Sequence, residues 1–249
     1  MAYRRDRSPL PGRGALLALC TGATTLLLGT PDPELQAQEV PSPYDFFDHR
    51  YEASVGLQHW QTRTGRFDLG PASGTGPAGR IGFHVAGPIA LEGFGSIVST
   101  TRSVVEPRAP GEEGNGPQVV GRSDALLVTG EARVRFHLTG PRTWNDLTPY
   151  VIAGVGLTND FRGEQEADEE LEERDRFNFG PSASLYGGLG TQWHVGDRLL
   201  VQADLGVTAW RMGNPRGFQD LEGQGDVGLV DENEWLLNPG LSVTLGLRR

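Results

Sequence analysis

With 249 residues, a formal charge of -10 and no lysine, the chain draws every fixed cation from arginine, and its acid excess excludes the basic patches of a nucleic-acid binder. Its 36 glycines and 17 prolines favour strands and turns over long helices. No run after residue 28 approaches the roughly 18 apolar residues of a membrane helix, and mean hydropathy decides little, because a membrane strand shows lipid only every second side chain.

The N-terminus reads as a secretory signal peptide over residues 1–37. Arg4, Arg5, Arg7 and Arg13 precede an apolar run over 15–28, and Leu35-Gln36-Ala37 offers a cleavage site. Cys20 lies inside that run, so the exported chain is expected to carry neither thiol nor disulfide. Residues 38–50, with Pro41, Pro43, Phe46 and Phe47, read as an irregular periplasmic lead-in.

The first predicted strand, 51–62, sets Tyr51, Ala53, Val55 and Leu57 against Glu52, Ser54, Gly56 and Gln58. A Gly/Pro/Ser-rich stretch over 63–77 predicts a long loop. Strand two, 78–86, opposes Ile81, Phe83 and Val85 to Arg80, Gly82 and His84, and Gly87-Pro88 turns it tightly into strand three, 89–100, which carries Glu92 opposite Leu91. A second long loop is expected over 101–121. Strand four, 123–138, alternates Leu126, Val128, Ala132, Val134 and Phe136 with Thr129, Glu131, Arg133, Arg135 and His137. A shorter turn over 139–146 leads to strand five, 147–159, followed by a third long loop over 160–179.

Residues 180–212 read as a hairpin about Val195-Gly196-Asp197-Arg198. Its second run places Leu199, Val201, Ala203, Leu205, Val207 and Ala209 on one face and Leu200, Gln202, Asp204, Gly206, Thr208 and Trp210 on the other. A fourth long loop over 213–234 precedes strand eight, 235–248, where Leu241, Val243, Leu245 and Leu247 alternate with Ser242, Thr244, Gly246 and Arg248. Long loops thus follow the odd strands and short turns the even ones, with an even strand count. An apolar face and a glycine-rich polar face, joined to this asymmetry, predict an all-β fold: an eight-stranded antiparallel up-and-down transmembrane β-barrel over 51–249, with lipid outside and a crowded polar lumen.

In this pattern the chain resembles the small eight-stranded outer-membrane barrels of Gram-negative bacteria, of the OmpA transmembrane-domain, OmpX and OmpW kind. Pro149-Tyr150 with Gly154-x-Gly156, and the closing Gly240-Leu241-Ser242-Val243-Thr244-Leu245, carry the resemblance over 51–249. The chain ends Leu247-Arg248-Arg249, where such barrels usually end on an aromatic residue. The resemblance implies outer-membrane lipid, lipopolysaccharide and the barrel-assembly machinery as surroundings, a monomer, and long loops outside the cell.

Strand parity points Glu52, Glu92, Glu131 and Asp204, with Arg80, Arg133, Arg135 and Arg248, into the lumen. Buried charges are costly unless paired, so four acids against four bases predict a salt-bridge network that plugs the barrel, a narrow gated pore or proton path being the alternative. His84, His137 and His194 fall just before the short turns and can converge only across the lumen; polar plugging is expected there rather than a metal site. The third loop carries Glu164, Glu166, Asp168, Glu169, Glu170, Glu172, Glu173 and Asp175, a run without EF-hand spacing that tolerates a short helix and reads as a solvated acidic loop. Cation binding or a basic partner is the other reading of that run. No serine has a histidine and an acid at suggestive spacing, so neither catalytic residues nor a cofactor is expected. A charge-balanced, filled lumen and long loops favour a structural or surface-interaction barrel whose loops meet an extracellular ligand; a narrow channel for small or hydrophobic solutes is the alternative, and a lipid-modifying enzyme the lesser reading.

Overall fold

The computed structural model describes residues 42, 45, 46, 49–107, 117–219 and 233–249; the stretch expected to be a signal peptide, with Cys20, lies outside them. Eight strands form one closed antiparallel barrel in which each pairs with its neighbours in sequence and β1 closes on β8. They are β1 (Tyr51–Trp60), β2 (Gly74–Ala86), β3 (Ile89–Glu106), β4 (Gln118–His137), β5 (Leu147–Asp160), β6 (Ser182–Val195), β7 (Leu199–Gly213) and β8 (Asn233–Arg248). Closure gives each strand a hydrogen-bonded neighbour on both sides, the condition for a sheet to cross a bilayer.

Burial alternates residue by residue, and the exposed face is the apolar one. Val55, Ile81, Leu189 and Leu205 are each more than three-fifths exposed. On β7 the outward run from Leu199 to Ala209 measures about 34 Å at ~3.4 Å per residue, or roughly 25 Å across a bilayer at a tilt of about 40°. The outward charges Arg122, Asp124 and Arg211 all lie at the loop end of their strands. Tyr51, Phe83, Phe136 and Trp193 face outward at the turn end and Trp235 at the loop end, where aromatic rings suit the lipid-water boundary.

Three strands run further than their sequence suggests. β2 begins at Gly74, inside the stretch assigned to a loop. A Cβ at Gly76 would collide with the backbone of Ile97, so glycine there permits close strand approach, and Pro77, which has no N–H, coincides with a gap in the pairing of β2 with β3. β3 and β4 extend to Glu106 and from Gln118, shortening the second loop to 107–117, within which residues 108–116 are not described. Arg102, Val104 and Val105 on that extension are buried, because loop residues cover them. Fold-back of the chain, which local punctuation does not announce, therefore lengthens the hairpin.

The two halves of the interior differ. Towards the loops Trp60, Val98, Leu127, Trp210, Met212 and Leu236 from the wall meet Leu69, Phe177, Phe179 and Phe218 from the loops in one apolar cluster. Trp60 packs edge-on against Trp210, ring centroids 5.1 Å apart. This part of the barrel has an ordinary hydrophobic core, where a polar lumen was expected throughout. At the other end the turns are tight, with Gly87 and Gly196 at φ of 55° and 65°, a region that glycine enters without strain.

Candidate functional site

The lumen holds seven of the eight predicted charges. Arg80 pairs closely with Asp204 and lies 3.5 Å from Glu92. Arg133 donates to Glu131 at 2.7 Å and reaches Glu92 at 3.5 Å, while Arg135 pairs closely with Glu52 and lies 3.5 Å from Glu92. Neutral groups complete the web. Gln192 donates to both oxygens of Glu52, Gln202 donates to Glu92 at 3.2 Å and to the Tyr150 hydroxyl at 2.9 Å, and Tyr150 and Ser242 donate to Asp204.

Aromatic rings hold the cations from the sides. The Arg133 guanidinium lies 3.5 Å from the centre of the Phe94 ring and 3.9 Å from that of Tyr186, a cation held between two π faces. Arg80 approaches Phe94 at 5.4 Å, and Arg135 approaches Tyr150 at 5.5 Å. The lumen glycines are clearance for these side chains. A Cβ at Gly190 would collide with Tyr150 and Asp204, one at Gly206 with Tyr186, one at Gly154 with Arg133, and one at Gly82 with Glu52 and Arg135. Alternation located Gly82 and Gly206 on the inner face; their purpose emerges only when the neighbouring strands are folded against them.

Seven of the eight predicted lumen charges meet in this web, and Arg248 does not. Half-buried at the turn end, it donates to the carbonyls of Gly196 at 2.6 Å and Asp197 at 3.1 Å and to Nδ1 of His194 at 2.6 Å. Strand parity misleads there because a terminal side chain is long enough to reach the orphan carbonyls of the next turn. Four carboxylates then face three guanidiniums.

Below the web the imidazoles do converge across the lumen. His84 and His137 have ring centroids 5.0 Å apart, and a fourth histidine joins them: His49, with its ring 4.8 Å from that of His84 and 5.6 Å from that of His194. His49 comes from the lead-in, where no periodicity could reveal it. Lead-in backbone is tied to the turn end by Thr143 N–H donating to Asp45 O at 2.7 Å and His84 N–H donating to Arg50 O at 2.9 Å, and the Arg142 guanidinium sits over the Phe46 ring at 4.5 Å. His49 is consequently buried inside the mouth.

The acidic loop divides into two populations. Asp168 is fully buried: its carboxylate accepts from Arg102 at 2.7 Å, Ser123 at 2.9 Å and the Gln165 backbone at 2.9 Å, capping the one-turn helix α1 (Glu166–Glu169). Asp175 is buried as well, so the reading of the whole run as solvated is corrected at these two positions. A burial reversal of this kind has no local signature, because the partner Arg102 lies on β3. Glu164, Glu166, Glu169, Glu170, Glu172 and Glu173 are exposed, with Glu164 paired to Arg176 and Glu172 to Arg174, each at 3.0 Å.

No protein-family model matches the chain, and no curated protein does. Among solved structures the chain is similar to the outer membrane protein OprG from Pseudomonas aeruginosa, at 14% identity and a TM-score of 0.51, over 82% of this chain and 99% of that one. It also matches Neisserial surface protein A at 14% identity and TM-score 0.43, over 80% of this chain and 97% of that one. The N-terminal barrel domain of Pseudomonas aeruginosa OprF matches at 13% and 0.37, over 79% of this chain and 99% of that one. The fold is that of the small eight-stranded outer-membrane β-barrels.

Proposed function

We propose that the chain is a closed, non-enzymatic barrel of a Gram-negative outer membrane, exported by a cleaved signal peptide, whose long loops meet a partner outside the cell. The short turns, the lead-in and residue 249 then face the periplasm, and lipid and lipopolysaccharide surround the apolar belt. The observation that carries this reading is the filled lumen: Arg133 lies between Phe94 and Tyr186 within a web that binds seven charged side chains, and the Trp60-Trp210 cluster covers it on the loop side. A blocked lumen leaves loops such as 61–73 and 161–181 as the surface with room for specific recognition, and connections of that length usually carry function.

Purified protein in planar bilayers tests the reading. Silence is expected, together with protease cleavage near Glu166 on intact cells and protection of Gly196. Stable ion-selective openings altered by Glu131→Ala or Arg133→Ala would instead establish the channel for small solutes.

A further inference from the structure

We infer that His49, Glu52 and His84 form a site for a borderline divalent cation such as Zn2+ at the turn-side mouth of the barrel. One nitrogen from each imidazole and one carboxylate oxygen all lie within 4.8 Å of one another. His49 Nε2 is 3.8 Å and His84 Nε2 is 3.7 Å from Glu52 Oε2. Two ligands of a tetrahedral zinc, at bond lengths of ~2.0–2.2 Å, stand about 3.3–3.5 Å apart, so these two edges need to close by only a few tenths of an ångström.

The surroundings prepare the carboxylate for this. Arg135 pairs with Glu52 Oε1, while Gln192 donates to Oε1 at 3.1 Å and to Oε2 at 2.9 Å, so the group is held in orientation with Oε2 towards the histidines. Outer partners of this sort fix ligand geometry in metal sites. His194 is a neighbour and not a ligand: Arg248 donates to its Nδ1, so its Nε2 donates to Thr148 Oγ1 at 2.9 Å, and both nitrogens are engaged. His137 lies beside His84, ring centroids 5.0 Å apart, and is not one of the three converging ligands.

Charge and ligand type agree with a cation of this class. With Arg248 at the rim, the web of Glu52, Glu92, Glu131 and Asp204 against Arg80, Arg133 and Arg135 has one negative charge in excess, and a cation on Glu52 offsets it. Two imidazoles with one carboxylate suit zinc-like metals, whereas Ca2+ and Mg2+ require oxygen shells. Because His49 comes from the lead-in and the other two ligands from β1 and β2, the bound ion would fasten the lead-in across the barrel mouth.

The test is calorimetric titration of the exported protein, purified in detergent without a histidine tag, with Zn2+ and separately with Ca2+. One saturable Zn2+ site is expected, weakened more than about tenfold in His49→Ala and in His84→Ala, since removing a ligand costs more than the ~10–100-fold lost with an outer partner. His59→Ala, on the outer face at the loop end, should bind as the parent does. Heat modifiability on detergent gels checks that each variant folds. If the alanine variants do not fold, His84→Gln and Zn2+ protection of His49 and His84 from diethylpyrocarbonate in the parent protein replace them. Absence of a saturable Zn2+ site, Zn2+ binding unchanged in folded His49→Ala and His84→Ala, equal affinity for Ca2+, or labelling of both histidines indifferent to Zn2+ would each overturn the inference.

Discussion

Arg102 on β3 donates to Asp168 in the third loop at 2.7 Å, and both side chains are almost wholly removed from solvent. The contact ties the loop to the wall, with Arg102 also lying 5.6 Å from the centre of the Phe177 ring, part of the apolar cap. Removing one partner of a buried pair strands the other, at a cost of about 3–5 kcal/mol. Asp168→Ala is therefore expected to release residues 161–181, measured as faster hydrogen exchange and protease cleavage of that loop in an otherwise folded barrel. Glu170→Gln, an exposed neighbour, should change stability by less than about 0.5 kcal/mol. Equal protection of the loop in both variants would show that the pair does not anchor it.

A second comparison separates the lumen web from the rim. Arg133→Ala removes a guanidinium held between Phe94 and Tyr186 and leaves Glu131 without its 2.7 Å partner, so chemical unfolding in detergent or lipid should show a loss of about 3–5 kcal/mol. Arg248 spends its charge on exposed turn carbonyls and on His194. Arg248→Ala should cost less than about 1 kcal/mol. Similar losses in the two variants would mean that the web contributes no more than a surface contact.

What alternation made legible was the wall: the outward and inward faces of most strands and seven of the eight lumen charges follow from a period of two, and the odd-even loop asymmetry from the spacing of the runs. Contacts made by aperiodic segments stayed out of reach. His49 lies in a lead-in with no repeat to place it, and Asp168 lies in an acidic run that local composition assigns to solvent. Arg248 has the correct parity, but a strand-terminal side chain is free to bend towards a turn. The extension of β2 through Gly76 and Pro77 was hidden for another reason, since both residues ordinarily mark a loop, and here one makes room for β3 while the other lies where the pairing to it lapses.

The lumen glycines predict a sharp positional contrast on β6. Gly190 faces inward against Tyr150 and Asp204, whereas a Cβ on outward Gly187 would meet nothing within 4 Å. Gly190→Val should abolish the heat-modifiable folded form or cost well above the ~1–3 kcal/mol of ordinary overpacking, because the obstructing ring is itself buried in the web. Gly187→Val adds an apolar β-branched residue to the outer face and should fold as the parent does. If both variants fold equally well, the inner glycines are not clearance for the lumen side chains.

The outer belt supplies the last contrast, one of depth. Leu205 is exposed and lies midway along the outward run of β7, opposite Leu189 on β6 and Leu241 on β8. Arg211 occupies the same face at the loop end, opposite Trp235. In a bilayer an arginine at the midplane costs about 2–4 kcal/mol and near the interface about 0–1. Leu205→Arg should thus lower the unfolding free energy in lipid vesicles by the larger amount, while Arg211→Leu changes it little. The comparison is made in vesicles and again in a short-chain detergent, where water and headgroups reach the belt. A penalty for Leu205→Arg that is equally large in both media would place its origin in protein packing and would argue against a belt immersed in lipid.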